Sequence, residues 1–326
     1  MYARNKPNTQ PRTRISRRRM SGYPLAEGVT GATGTTFSSS IKLLPNVWKR
    51  LTNLAISHGE ITGVPTGYSR LDQLTGGLLP SNLIIVAARP AMGKTAFALN
   101  IAMNAAVDNK IPVCVFSLES TKEQLIMRML AARACVYACR FRRPATFSDE
   151  DWIRLAKAKD ELSRAPLFID DTPALSTLEL CARIRQTKAE HCIGLVIVDS
   201  LQQLMRTNRC MNCCQLEIAD TARSLRDFAK EMDIPIMVLS QLSRRVDKRA
   251  NKRPILSDLR GPGDIGQAAD VILFIYRDDV YNYQKPAERP LVGNAEIIIG
   301  KNRNGPVGAV KLDYNSMYIT FEDKDC

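Results

Sequence analysis

Apolar residues along this chain follow two periods. Short runs that are apolar almost throughout alternate with longer stretches in which apolar positions return every three or four residues. The short runs predict strands over 83–88, 113–118, 167–170, 195–199, 235–240 and 271–276. The longer stretches predict helices over 95–107, 122–139, 150–164, 178–189 and 216–232. Strands alternating with helices imply an α/β fold with a mostly parallel central sheet. Strands apolar on both sides of the pleat imply that helices cover both faces. Near the end, 295–301, 309–314 and 317–321 predict shorter strands in an antiparallel extension.

Ahead of this region the pattern changes. Leu44, Val47, Trp48, Leu51, Leu54 and Ala55 fall at helical spacing, with Pro45 suited to a first turn and Gly59 to a stop. One amphipathic helix over 41–58 follows, its apolar face packed on its own domain or docked on a neighbouring subunit. Residues 1–40 hold Arg4, Lys6, Arg12, Arg14, Arg17, Arg18 and Arg19 against one acid, Glu27, and turn rich in Gly, Ser and Thr from Gly28 to Ser40. That composition predicts a disordered tail. Three roles stay open for it: a solubilising tail, a nucleic-acid-binding arm, or an Arg-rich organellar targeting segment. The chain thus divides into a basic tail, 1–40, a linker helix, 41–58, and one domain, 59–323.

Charge and cysteine usage narrow the classes. The 326 residues carry 46 Lys+Arg against 33 Asp+Glu, a net charge of +13, which favours a polyanionic partner. No apolar run approaches the roughly 20 residues that span a bilayer. Nine scattered cysteines argue for a reducing compartment rather than a disulfide framework. Cys210, Cys213 and Cys214 include a C-x-x-C spacing, but the sequence places no further ligands beside them. Free thiols in a variable loop are the simpler reading.

The strongest chemical signal is Ala88-Arg89-Pro90-Ala91-Met92-Gly93-Lys94-Thr95, set between a predicted strand and a predicted helix. That is the setting of a phosphate-binding loop, where helix N–H groups and the helix dipole meet an anion. Lys94 would reach the β/γ-phosphates of ATP and Thr95 would hold Mg²⁺. Asp199 closes an apolar strand, as a metal-supporting acid should, although an acid there also serves as a cap. Glu119 ends the strand after the loop's helix; it is a candidate general base or, alternatively, the cap of the helix beginning near Thr121. Gln241 ends a further strand on the same edge. It either senses the γ-phosphate or is an ordinary polar strand end.

Several spaced motifs resemble DnaB-type replicative DNA helicases. They include Ile61 to Gly67 with Leu71-Asp72, Ala87 to Thr95, Phe116 to Glu119, Leu239 to Leu242, Lys252-Arg253-Pro254, Ser257 to Arg260, and Gly300 to Pro306. The resemblance runs from about Ile61 to Phe321, and even Ala88 in place of the usual first loop glycine fits it. It implies a RecA-like P-loop motor that uses ATP and Mg²⁺ and assembles as a homo-hexamer around single-stranded DNA. It implies 5′→3′ translocation, a cytoplasmic protein of bacterial or phage type, and a loader and primase as possible partners. Carried over by position, Lys94 and Thr95 hold nucleotide and metal, Asp199 supports the metal, Glu119 is the base and Gln241 the sensor. Lys301 and Arg303 match cations that reach a neighbour's ATP, where a solvated basic turn is the plain alternative. Arg260, Gly261 and Gly263 match a DNA-phosphate loop, where a plain turn is the alternative.

Departures from the pattern are also visible. Ser200-Leu201-Gln202-Gln203-Leu204 looks one residue longer than the usual Tyr-Leu-Gln-Leu run. Gly261-Pro262 replaces Glu-Ser, and Gly266-Gln267-Ala268 replaces Glu-Gln-Asp. No counterpart of the family's N-terminal collar, which helps recruit primase, is matched. Two other classes therefore stay in view. One is another RecA-like ATPase of repair or recombination. The other is a truncated subunit that binds nucleotide and assembles without unwinding.

Overall fold

The computed structural model describes residues 39–41, 44–45, 47–49, 52, 61–204, 214–259, 264–282 and 290–324. The chain divides into two units, Met1–Ile56 and Ser57–Cys326. In the first, the described residues from Ser40 to Thr52 are helical, and Thr52 Oγ1 donates to the Trp48 carbonyl at 3.1 Å. Leu51, Leu54, Ala55 and the tail 1–38 lie outside the described residues.

In the second unit the elements follow in order. They are α1 (Ser69–Thr75), β1 (Leu83–Ala88), α2 (Lys94–Met103), β2 (Val113–Ser117), α3 (Lys122–Ala134), α4 (Asp149–Ser163), β3 (Leu167–Asp170), α5 (Thr177–His191) and β4 (Leu195–Asp199). Then come α6 (Leu201–Leu204), α7 (Cys214–Met232), β5 (Ile236–Gln241), α8 (Asp264–Ala268), β6 (Val271–Arg277), α9 (Asp279–Asn282), β7 (Val292–Asn302), β8 (Gly308–Asn315) and β9 (Thr320–Asp323). Among the described residues these nine strands form one sheet in the order β3-β2-β4-β5-β1-β6-β7-β8-β9. Pairing is parallel from β3 to β6 and antiparallel from β6 to β9.

The uninterrupted apolar strands have a direct cause. Alternate β1 residues enter opposite cores: Ile84, Val86 and Ala88 pack with Phe97, Leu125 and Met129 of α2 and α3. Leu83, Ile85 and Ala87 pack with Leu180, Leu225 and Phe228 of α5 and α7. A strand covered on both faces has no polar side to show.

The structure adjusts three expected elements. The helix expected over 122–139 stops at Ala134, where Cys135 turns left-handed with φ 51° and Val136 is buried. The helix expected over 95–107 ends its α geometry at Met103 and continues as a π turn, Asn104–Asp108. There Asn104 Nδ2 donates to the Thr66 carbonyl at 2.9 Å. Of the strand expected over 317–321, residues 316–319 form a turn and β9 starts at Thr320.

Candidate active site

The cleft lies at the carboxyl ends of the parallel strands, where ligands meet open α/β sheets. Central strand β1 feeds the phosphate loop, which turns into α2 through Ala91 at φ 67° and Gly93 at φ 90°. Gly93 is required twice. Its φ disfavours any side chain, and a Cβ there would stand 3.0 Å from the Phe321 ring and 3.3 Å from Tyr314. No side chain caps α2, so its first-turn N–H groups are free for an anion. Arg277 braces the loop from behind, with Nη1 3.4 Å from the Ala91 carbonyl. A buried 2.6 Å ion pair with Asp279 and the Tyr314 ring, 3.7 Å from its guanidinium, fix that arginine in turn.

The acidic groups converge on the same loop. Thr95 Oγ1 donates to Asp199 Oδ2 at 2.7 Å, and Lys94 Nζ stands 3.7 Å from Oδ1. That approach is an ion pair but too long for a hydrogen bond, and Oδ1 is otherwise a buried acceptor without a donor. Burial raises the Asp199 pKa, while Lys94 and the Thr95 hydroxyl oppose the rise. A buried hydroxyl–carboxylate pair with one unmatched oxygen suits a hard divalent cation. A single carboxylate fits Mg²⁺, which keeps water and phosphate ligands.

Glu119 does not cap α3. Thr121 does, accepting from the Gln124 N–H in a capping box. Glu119 Oε1 instead accepts from Ser200 Oγ at 2.5 Å. The altered run after Asp199 therefore has a use here: Ser200 orients Glu119, Leu201 and Leu204 are buried, and Gln202 Nε2 donates to Ser240 Oγ at 3.0 Å. Gln241 pairs in register with Ala88 at the mouth of the loop. The resulting cleft has a volume of about 550 Å³ and is lined by the loop, Glu119 and Gln241. Arg128 of α3, Tyr314 and Ile319 also line it, and the motif reading missed all three.

Lys301 and Arg303 do not line this cleft. Lys301 Nζ donates to the carbonyls of Gly266 at 2.6 Å, Gln267 at 3.2 Å and Ala269 at 2.6 Å. Burial, then the Arg303 charge, lowers its pKa. Arg303 donates to the Gln267 carbonyl at 2.8 Å and pairs with Asp270 at 3.3 Å. Lys301 is half-buried within β7, whereas Arg303 is exposed in the bend that follows the strand. Both rest on the end of α8, beside Gly266 and Ala268, where the expected acids are missing. Arg260, Gly261 and Gly263 lie outside the described residues, as do Cys210 and Cys213. Among the described residues no group of three or more His, Cys, Asp or Glu is placed to hold a metal.

Residues 63–323 match the family profile described as DnaB-like helicase C terminal domain. The chain belongs to this family. It is 43% identical over 285 residues to the replicative DNA helicase DnaB of Geobacillus stearothermophilus, covering 87% of this chain and 62% of that relative. The chain thus spans about three-fifths of that curated relative's length. A solved ATPase domain superposes with a TM-score of 0.80 at 36% identity, covering 89% of this chain and all of that one. A solved DnaB-like replicative helicase, described with its interactions with primase, superposes with a TM-score of 0.78 at 36% identity, covering 90% of this chain and 69% of that one. Membership in the DnaB-like family and the RecA-like α/β fold thus agree with the motif reading. Among the described residues no helix is long and apolar enough to cross a membrane.

Proposed function

We propose that this chain is the ATP-hydrolysing motor of a replicative DNA helicase, moving 5′→3′ on single-stranded DNA within a homo-hexamer. The observation that carries the reading is a convergence at one sheet edge. An uncapped phosphate loop meets the Thr95–Asp199 pair at 2.7 Å and, separately, the Glu119 carboxylate held by Ser200. In this reading 1–40 is a basic tail, 41–58 a linker helix docking on the adjacent motor, and 59–323 the motor domain.

ATP lies with its phosphates against the α2 N–H groups and Lys94, along the loop from Ala88 to Thr95. Thr95 and Asp199 would hold Mg²⁺, which would supply charge neutralisation for the phosphates. Glu119 takes a proton from the attacking water as its oxygen bonds the γ-phosphorus and the bond to ADP breaks. Gln241, beside Ala88, hydrogen-bonds the γ-phosphate and registers its loss. Lys301 and Arg303 stabilise the transferring group on a neighbouring subunit. Arg260 and the backbone at Gly261 and Gly263 hold DNA phosphates, which carry no sequence information and suit a motor crossing any sequence. A loader and a primase are candidate partners, in the cytoplasm of a bacterium or phage-infected cell.

A forked duplex with a 5′ single-stranded tail tests the reading. Strand separation by the full chain with ATP and Mg²⁺, absent from Lys94→Ala, is expected. Hydrolysis without strand separation would replace the motor with a subunit that assembles but does not unwind.

A further inference from the structure

Arg89 is the second residue of the phosphate loop, yet its side chain is committed elsewhere. Its guanidinium donates to Asp247 from Nε at 3.2 and 3.1 Å and from Nη2 at 2.7 Å, and to the Leu242 carbonyl from Nη1 at 3.0 Å. Asp247 sits on a 3₁₀ turn, Arg244–Lys248, that buried Val246 anchors, and it also accepts from Tyr281 Oη at 3.1 Å. The same segment is fixed again at its other end. Arg249, just past the turn, donates to Asp258 at 3.2 and 2.7 Å. The Ser243 N–H donates to the Asp258 carbonyl at 2.9 Å, and Leu242 bridges Leu259. The Leu242 N–H donates back to the Ala88 carbonyl at 3.0 Å. Arg260, the first residue assigned to DNA, follows Leu259 in the chain.

Residues 242–249 therefore carry two fork-shaped ion pairs of opposite polarity. An acid grips the phosphate loop, and a base grips the root of the DNA loop. Side-chain exposure is 38% at Asp247 and 32% at Arg249 against 13% at Arg89 and 5% at Asp258, so each strut residue reaches from near water to a sheltered partner. Two-donor geometry fixes the position of each pair.

We propose that residues 242–249 form a strut that couples the nucleotide to the DNA contact, with Asp247 and Arg249 as its positioning residues. The inference rests on the reading that the cleft takes ATP and that the loop after Leu259 takes DNA.

Coupling between two ligands is reciprocal, so it is readable as a ratio of DNA affinities in two nucleotide states. The experiment measures binding of fluorescein-labelled oligo-dT to the full chain by anisotropy, with Mg²⁺ and either AMP-PNP or ADP. The wild-type affinities should differ by a factor of about 5–150, the usual span of such coupling. Asp247→Ala and Arg249→Gln should each bring the ratio close to one while leaving DNA affinity in ADP, and AMP-PNP affinity without DNA, near wild type. A wild-type ratio retained by either variant overturns the strut. So does loss of AMP-PNP affinity in Asp247→Ala without DNA, because Asp247 would then only shape the phosphate loop. Absence of nucleotide or DNA binding by the wild type would overturn the motor reading itself, and the strut with it.

Discussion

Glu119→Gln separates chemistry from folding at this site. The substitution keeps the length of the side chain and the oxygen that accepts from Ser200 Oγ at 2.5 Å. It removes only the charge and the basicity. Glu119 is exposed, and surface substitutions usually move stability by about 0.5 kcal/mol or less. Loss of a general base costs about 10²–10⁴-fold in rate. At about 1.36 kcal/mol per tenfold, that is roughly 3–5.5 kcal/mol of barrier, far above the stability change. The assay is phosphate release at saturating ATP with single-stranded DNA, beside equilibrium binding of a fluorescent ATP analogue and a thermal melt. Binding and melting should stay near wild type while turnover falls to the limit above. Ser200→Ala, which leaves the carboxylate but removes its donor, should lose less, bounded by the roughly 1.5–3 kcal/mol of a charged hydrogen bond. Turnover of Glu119→Gln within about threefold of wild type would refute its role as base.

Further expectations concern the trans cations, the metal and the thiols. Arg303→Ala should lose hydrolysis yet regain part of it in rings mixed with Lys94→Ala, because each variant spoils a different half of a shared site; activity of mixtures that merely sums the two parents would contradict action in trans. Burial raises the Asp199 pKa, and a protonated carboxyl does not bind a cation. Mg²⁺·ATP affinity should therefore weaken on acidification at a pH above the ordinary carboxylate range, about 3.9 for aspartate. Asp199→Asn should remove that part of the pH dependence, and an unchanged profile in the variant would rule Asp199 out as its source. Burial pushes the Cys114 thiol up to about 12 and Cys181 up to about 11, whereas Cys135, Cys139 and Cys192 are exposed. Iodoacetamide at mildly alkaline pH should label the exposed three and spare the buried two until the chain is denatured; fast native labelling of Cys114 would show that the β2 core opens.

The central strands were legible because burial on both faces leaves an unbroken apolar run, and β1 and β4 begin and end where that run does, whereas β3 is a half-buried edge strand. Helix α3 was overextended because the apolar spacing runs on through Val136, which is buried, although the backbone turns at Cys135. Helix α1 was missed because it is only seven residues long and is anchored by a local side-chain contact. Asp72 accepts from the Thr66 N–H at 3.0 Å and from Thr66 Oγ1 at 2.8 Å, a contact that spacing does not announce. The phosphate loop was legible for the opposite reason: its chemistry needs adjacent residues at one strand–helix junction. Arg128 carried a faint signal, as a cation on the helix after Glu119, but only the turn of α3 brings it to the cleft. Arg277 and Asp247 look like ordinary surface charges in sequence. Their roles arise from Tyr314 and Arg89, residues 37 and 158 positions away, which the sheet order brings beside them.

The most direct test of the account is the ATP hydrolysis rate of the full chain with and without single-stranded DNA, with Lys94→Ala as the blank. Hydrolysis above the blank that rises strongly when DNA is added is the expected result, since the cleft and the DNA loop belong to one motor. Hydrolysis indifferent to DNA would contradict that coupling, and no hydrolysis above the blank would contradict the assignment of the cleft itself.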